Sequence, residues 1–150
     1  MTAGNPAAET QVPKLGKRLP KPLSVAAIAA LLASPDRDDP LGMRAAVLLE
    51  MLYGTGARVS EINDLDVDDV TTVVDDETTG LRLRGKGGKE RVVPLGSFAR
   101  EALGAYLVRG RPILAAKGDG GGALLLNTRG RRLTRNSAFT VVVRHAEQAG

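Results

Sequence analysis

Apolar residues recur every three or four positions in two stretches of the N-terminal half, and this spacing predicts two helices. The first stretch, residues 25–34, has a possible N-cap at Ser24. The second, residues 41–53, is followed by Gly54 and Gly56, which are expected to end it. The apolar faces comprise Val25, Ile28 and Leu32 in the first stretch and Leu41, Ala45, Leu48 and Leu52 in the second.

Three further segments have a helical composition. Residues 58–65 offer only two turns, whereas residues 96–110 and residues 134–150 are long enough for full helices. Thr134 is a possible cap for the last one. The amphipathic face of the middle segment comprises Phe98, Leu103, Tyr106 and Leu107.

Apolar and basic residues alternate in residues 81–86, which predicts a strand with leucines on one face and cations on the other. Gly85, Gly87 and Gly88 favour a hairpin connection, and residues 91–95 fit the returning strand, with Pro94 near its end. A further short, buried strand is predicted at residues 123–127. These elements predict an α+β fold, mostly helical, with a small antiparallel three-stranded sheet.

Composition narrows the possible functions. The chain has 150 residues, no cysteine and one histidine, so a disulfide framework and a thiolate metal site are excluded. No apolar run approaches the roughly 18 residues of a membrane helix, and the first forty residues contain no signal-peptide core. We therefore predict a cytoplasmic protein with no membrane partner. Residues 1–23 combine four prolines with basic residues, which is typical of a tail or interdomain linker.

The net charge is +4, and the basic residues are concentrated in three clusters, whereas residues 64–77 carry seven acids and no base. The clusters are Lys14, Lys17, Arg18 and Lys21; Arg82, Arg84, Lys86, Lys89 and Arg91; and Arg129, Arg131, Arg132 and Arg135. Any one cluster could be an ordinary solvated surface. Three of them on one small chain favour a nucleic-acid partner, and an unrelated RNA-binding protein with a basic hairpin is one alternative.

Single residues with possible chemistry are few. Tyr53 and Tyr106 lie at apolar helix positions, which favours core packing for both. His145 has no polar partner three or four positions further on, which favours a surface or interface role over catalysis.

Two motifs carry the strongest functional signal: TGARVSE at residues 55–61 and RGKGGKERVVPL at residues 84–95. In this order and at this spacing, they resemble the catalytic domain of the tyrosine recombinases, also called the phage integrase family, and in particular its Xer-like chromosome-dimer and plasmid recombinases. The resemblance begins at KRLPKPLS, residues 17–24, which looks like the interdomain linker of the family, and it continues to residue 150.

The resemblance implies a role for individual residues. Arg58 matches the first catalytic arginine, which clamps the scissile phosphate, and a guanidinium can donate two parallel bonds to phosphate. Lys86 matches the hairpin lysine, the general acid for the leaving 5′ oxygen. Glu61 matches an acidic position that helps to hold the arginine, with an exposed helix carboxylate as the alternative. The predicted DNA contacts are Arg82, Arg84, Lys89, Arg91, Arg129, Arg131, Arg132 and Arg135.

Other parts of the family pattern find no match in these 150 residues: the His-x-x-Arg box, the nucleophilic tyrosine and the amino-terminal helical domain. Residues 24–150 are therefore expected to be the N-terminal portion of a catalytic domain, inactive alone. Apolar surface is expected to be exposed where the family's remaining helices would pack. The residues concerned are Leu48, Leu52, Leu103 and Leu126.

Two functions follow from the resemblance. In the first, the chain is the DNA-binding part of a site-specific recombinase that breaks and rejoins double-stranded DNA through a 3′-phosphotyrosyl link. The family performs this reaction without a metal or nucleotide cofactor, in a tetrameric synapse of recombinase protomers. In the second, the chain is a truncated, non-catalytic module that binds DNA or a protein partner.

Overall fold

The computed structural model describes residues 24–150, so the predicted linker at residues 1–23 and its basic cluster lie outside the described residues. The helices are α1 (Val25–Ala33), α2 (Pro40–Thr55), α3 (Val59–Asn63), α4 (Val67–Asp75), α5 (Ser97–Ala105), α6 (Arg111–Ala115) and α7 (Arg135–Ala149). The strands are β1 (Leu81–Arg84) and β2 (Glu90–Val93), joined by a 3₁₀ turn at Lys86–Gly88, and a π-helical turn at Tyr106–Gly110 joins α5 to α6. Among these helices, none is long and apolar enough to cross a membrane.

Helix α2 lies at the centre of the core. Every residue from Gly42 to Met51 is buried, and the helix contacts α1, α3, α5, α6 and α7. Its start is fixed by Asp39, whose carboxylate accepts hydrogen bonds from the first free amides, and by Pro40, which suits a first turn. Its end is fixed by Gly56 in the left-handed conformation, with φ of 71°, which glycine adopts without a steric penalty.

The predicted helices are confirmed, together with their caps. The hydroxyl of Ser24 accepts a hydrogen bond from the amide of Ala27, and that of Thr134 accepts one from Ser137. Which side chains face the core was predicted less well. Side chains expected in the core lie in solvent, with exposed fractions of 87% at Val25, 73% at Phe98 and 63% at Tyr53.

The packing partners of each helix explain these differences. Helix α1 contacts α2 and α7, and the residue it buries is Leu31 rather than Val25. Helix α5 buries Ala99, Ala102 and Leu103, so Phe98 points away from the core. The spacing of apolar residues predicted the helices, but their orientation depends on the neighbouring elements.

The predicted hairpin is confirmed, but the sheet has two strands rather than three within residues 24–150. Strands β1 and β2 pair antiparallel, with Leu81 opposite Val93 and Arg84 opposite Glu90. Residues 123–126 are buried as expected, yet this segment forms only isolated bridges, from Ala123 to Asp66 and from Leu126 to Arg132. Its backbone groups bond partly to side chains from elsewhere and partly to scattered backbone groups, so no regular ladder forms.

The expectation of exposed leucines is also wrong. Leu48, Leu103 and Leu126 are each exposed by 1% or less, and Leu52 is half-buried against the core. The helices around α2 and the segment 123–126 cover these side chains within the described residues. Burying a leucine side chain contributes about 1.5–3 kcal/mol, so this closure stabilises the chain appreciably.

Candidate nucleic-acid interface

The turn before α3 presents Arg58 to solvent. After Gly56 ends α2, the hydroxyl of Thr55 donates to the carbonyl of Met51 at 2.6 Å and accepts from the amide of Ala57 at 3.1 Å. Arg58 then takes the extended N-cap conformation of α3, and its guanidinium is not used to cap the helix. The arginine is exposed. A structured turn therefore carries an exposed guanidinium.

Glu61, in the first turn of α3, lies beneath this arginine. It is only 6% exposed, which contradicts the alternative of an exposed helix carboxylate. Its Oε1 accepts a hydrogen bond from the amide of Arg58 at 2.9 Å. The guanidinium of Arg91 binds the same carboxylate through both arms, Nη1 to Oε2 at 2.6 Å and Nη2 to Oε1 at 3.1 Å. One buried carboxylate thus joins the Arg58 turn to the hairpin.

The pKa of Glu61 reflects this environment. Burial alone raises the pKa of the carboxyl, but the hydrogen bonds from Arg91 and the Arg58 amide and the two guanidinium charges outweigh burial. The net result is a pKa below the ordinary 4.5. Glu61 is therefore ionised at neutral pH and balances the charge of Arg91.

The hairpin places most of its cations in solvent. Arg82 and Arg84 lie on the exposed face of β1, where they share Glu90 at distances of 3.7 and 3.3 Å. Lys86 lies beyond the strand, in the 3₁₀ turn, so the alternation that defines the face of Arg82 and Arg84 ends before it. Lys86 and Lys89 are both exposed.

Arg91 differs from the other cations of the hairpin because of the strand register. It pairs with Leu83, which is fully buried, so its side chain starts on that side of the sheet and reaches Glu61, although 48% of the Arg91 side chain remains exposed. Residues directly opposite on an antiparallel pair project to the same side. The alternation of residues in β1 does not show which residue of β2 pairs with Leu83. The length of the hairpin connection, which sets the register, could have indicated that it is Arg91.

In the cluster at residues 129–135, some of the arginines bind other groups of the chain. The Nη1 of Arg132 donates to the carbonyls of Asn63 and Leu65, each at 3.1 Å, and its Nη2 binds the carboxylate of Asp66. Arg135 pairs with Asp64 at 2.9 Å. Arg131 lies 3.4 Å from Asp119, with both side chains exposed, and Arg129 is exposed. The acidic stretch after α3 therefore faces part of this cluster.

Tyr106 has the core role predicted for it. It is fully buried, and its hydroxyl donates to the carbonyl of Leu124 at 2.8 Å and accepts from the amide of Leu126 at 3.3 Å. Burial raises the pKa of this hydroxyl. His145 is half-buried, and its Nδ1 lies 3.0 Å from the hydroxyl of Ser34. Burial, and then the charges of Arg144 and Arg44, lower the pKa of His145. Both residues connect elements of the fold.

Comparison with known proteins places the chain among recombinases. The model of the phage integrase family matches residues 21–150. Tyrosine recombinase XerD of Mycobacterium tuberculosis is 49% identical over 142 residues, which cover 92% of this chain and 44% of that protein. Tyrosine recombinase XerC of Mycobacterium bovis is 44% identical over 146 residues, covering 95% of this chain and 47% of that protein.

The fold has a solved counterpart as well. A crystal structure of XerA recombinase superposes with a TM-score of 0.67 at 24% identity, covering 88% of this chain and 44% of that one. The chain spans less than half the length of these relatives. Since the family model covers most of its residues, the chain belongs to the phage integrase family of tyrosine recombinases and is of the Xer type.

Proposed function

We propose that this chain is the part of a site-specific tyrosine recombinase that binds DNA and holds the scissile phosphate. The bridging position of Glu61 is the observation that carries the proposal. The two cations assigned to catalysis, Arg58 and Lys86, lie on segments that this one buried carboxylate connects. Both side chains are exposed and available to a polyanion.

The chemistry of the two cations fits different steps of strand cleavage. A guanidinium keeps its charge at any working pH and matches phosphate in a bidentate way, so Arg58 would stabilise charge on the non-bridging oxygens. An ammonium is a mobile proton donor, so Lys86 would protonate the leaving 5′ oxygen. Glu61 supports both through the Arg58 turn and the hairpin.

The remaining exposed cations would contact the DNA backbone. Those proposed are Arg82, Arg84, Lys89, Arg129, Arg131 and Arg135. Arg132 has two carbonyls and a carboxylate as partners already, so its contribution to DNA binding would come from charge rather than from a direct bond. In the full-length protein, the partners would be double-stranded DNA and protomers of the same family in a tetramer, acting in the cytoplasm in DNA integration or chromosome partition.

DNA binding by the 150-residue chain tests the first half of the proposal. Replacing Lys86 and Lys89 by glutamine should weaken duplex binding and lower the salt dependence, by about 0.9 in slope for each lost phosphate contact. The matched control replaces Arg109 and Lys117, two exposed cations outside the clusters, and should leave the slope unchanged. Fluorescence anisotropy across a salt series measures both. Equal losses in the two double variants would contradict the assignment.

Cleavage chemistry tests the second half. The chain alone should form no covalent adduct with a nicked suicide duplex, because the Tyr106 hydroxyl is buried and bonded within the core and the exposed Tyr53 does not match the position of the family's nucleophile. In a full-length protein that contains this sequence, Arg58→Ala should lose about 3 to 4 kcal/mol of transition-state stabilisation. Lys86→Ala should be rescued by a 5′-bridging sulfur, which leaves without a proton, and Arg58→Ala should not. Equal rescue of both variants would contradict the two roles.

The closed core favours one further candidate, a non-catalytic module that binds DNA or a protein. Leu48, Leu103 and Leu126 are buried within the described residues, as an independently folding unit requires. A reversible, concentration-independent melt of the 150-residue chain, together with DNA binding but no adduct, is the outcome expected for this candidate. Aggregation during the melt would oppose it.

A further inference from the structure

We propose that Arg91 is a positioning residue, which ties the hairpin that carries Lys86 to the turn that carries Arg58 through Glu61, and that it is not a phosphate contact. The inference rests on the proposed function, because it concerns how the two cations of that site are held relative to each other. It also changes the role that the sequence pattern predicts for Arg91.

The position of Arg91 on the hairpin separates it from its neighbours. Arg82 and Arg84 project from the exposed face of β1. Arg91, opposite Leu83, reaches α3 from the other face, and its side chain is 48% exposed, against 63% for Arg82 and 66% for Arg84. The bonding partner therefore separates these cations: Arg82 and Arg84 bind the exposed Glu90, whereas Arg91 binds the buried Glu61.

The bonds of Arg91 are stronger than those of the exposed arginines. Both arms of its guanidinium bind the carboxylate of Glu61, at 2.6 and 3.1 Å, and Glu61 is 6% exposed. Arg82 and Arg84 instead share the exposed Glu90 through single contacts of 3.3 Å or more. A phosphate could recruit Arg82 or Arg84 at little cost. To recruit Arg91, it would have to leave a buried carboxylate without its partner.

One oxygen of Glu61 connects the Arg58 turn directly to the hairpin. Oε1 of Glu61 accepts from the Arg58 amide and from Nη2 of Arg91. Loss of either partner frees the carboxylate to rotate, which weakens the other bond as well. A lysine could supply the charge of Arg91 but not its planar two-armed geometry, so Arg91→Lys should fail where a phosphate contact made by charge alone would tolerate it.

The change in DNA affinity of the 150-residue chain distinguishes a positioning role of the Glu61 and Arg91 pair from a purely electrostatic one, because the two roles predict changes of opposite sign. Removing an acid next to a DNA-binding surface should tighten binding, and the matched control Glu90→Gln is expected to do so. Glu61→Gln should instead weaken binding severalfold, since it releases the hairpin. Arg91→Gln and Arg91→Lys should weaken it to the same extent, and the double variant Glu61→Gln/Arg91→Gln should be no weaker than either single variant.

Two results would overturn the inference: tighter binding by Glu61→Gln, or wild-type affinity in Arg91→Lys together with a loss in Arg91→Gln. Absence of DNA binding by the unaltered chain would instead count against the proposed function. In that case a measurement without DNA still decides. Amide hydrogen exchange at Arg58, followed by NMR, should accelerate in Arg91→Gln and in Glu61→Gln and stay unchanged in Glu90→Gln. An unchanged Arg58 amide in Arg91→Gln would overturn the inference whatever the DNA result.

Discussion

The hairpin at residues 81–93 and the segment at residues 123–133 both bury leucines, but their backbones are held in different ways. The hairpin forms a regular ladder, from the pair Leu81 and Val93 to the pair Arg84 and Glu90. The segment forms only isolated bridges and scattered backbone bonds, and several of its carbonyls and amides bond instead to side chains elsewhere in the chain. The Tyr106 hydroxyl bonds to the backbone of Leu124 and Leu126. The side chains of Arg44, Arg111 and Asn63 donate to the carbonyls of Leu126, Ala123 and Leu133, respectively.

This difference shows where the stability of each region resides. A ladder distributes its bonds over many backbone groups, so no single side chain is essential to it. In the segment, single side chains satisfy buried carbonyls and amides, and an unsatisfied buried polar group costs about 1–3 kcal/mol. The segment should therefore be more sensitive to individual polar substitutions than the hairpin.

The largest effect on stability is expected at Arg132. Its guanidinium donates to the carbonyls of Asn63 and Leu65 and binds Asp66. Arg132→Met should destabilise the chain by about 2 to 4 kcal/mol, because two part-buried carbonyls lose a charged donor. Urea unfolding followed by circular dichroism measures the change. The control is Arg129→Met, at an exposed position of the same segment. Equal midpoints for both variants would show that the segment does not depend on Arg132.

A smaller effect is expected at Tyr106. Tyr106→Phe keeps the ring in the core but removes the bonds to the carbonyl of Leu124 and the amide of Leu126. We expect a loss of about 1 to 3 kcal/mol in the free energy of unfolding. Tyr53→Phe is the matched control, because Tyr53 is 63% exposed, and it should change stability little. Similar losses in the two variants would contradict the proposed dependence on buried bonds.

The sequence predicted most of the regular elements, though not the helices α4 and α6, and the successes have a physical reason. Helix and strand periods are local, and caps such as Ser24 and Thr134 lie within three residues of the amides they bind. The hairpin was equally local. The predicted strand at residues 123–127 was wrong. The burial of its leucines was visible in the sequence, but a bonding partner such as Arg44, which is 82 positions from Leu126, was not.

The candidate site was predicted from motifs, and the roles of its residues stay predictions. The motifs located Arg58, Lys86 and Glu61, and the structure adds that Glu61 is buried and bound to the Arg58 amide. The pairing of Glu61 with Arg91 spans 30 residues and depends on the register of the hairpin. Charge patterns treat all cations of a cluster alike, so they could not separate Arg91 from Arg84.

The dependence of stability on pH tests the ionic tie of the hairpin. The pKa of Glu61 is lowered in the folded chain, so its contribution is present above the ordinary 4.5 and is lost as the pH falls through the folded pKa. The advantage of the wild type over Glu61→Gln should be about 1 kcal/mol at pH 7 and should shrink toward pH 3. Urea unfolding at several pH values measures it.

A second titratable group, His145, also makes the stability of the fold depend on pH, so that experiment needs a control for it. The pKa of His145 is also lowered in the folded chain, so protonation opposes folding as the pH falls below the ordinary 6.5. Both unfolding series should therefore be repeated in a His145→Gln background. If the gap between wild type and Glu61→Gln stays constant from pH 7 to pH 3 there, the ionised pair does not stabilise the fold.

The smallest effect on stability is expected at Arg131, the neighbour of Arg132. Its side chain is 67% exposed, and that of its partner Asp119 is 86% exposed, with 3.4 Å between them. Exposed pairs of this kind contribute about 0 to 1 kcal/mol, because water and salt screen them. A double-mutant cycle of Arg131→Gln and Asp119→Asn should give a coupling below about 0.5 kcal/mol, further reduced at high salt. A coupling comparable to the loss at Arg132 would mean that exposure does not separate the structural arginines of this segment from those proposed to contact DNA.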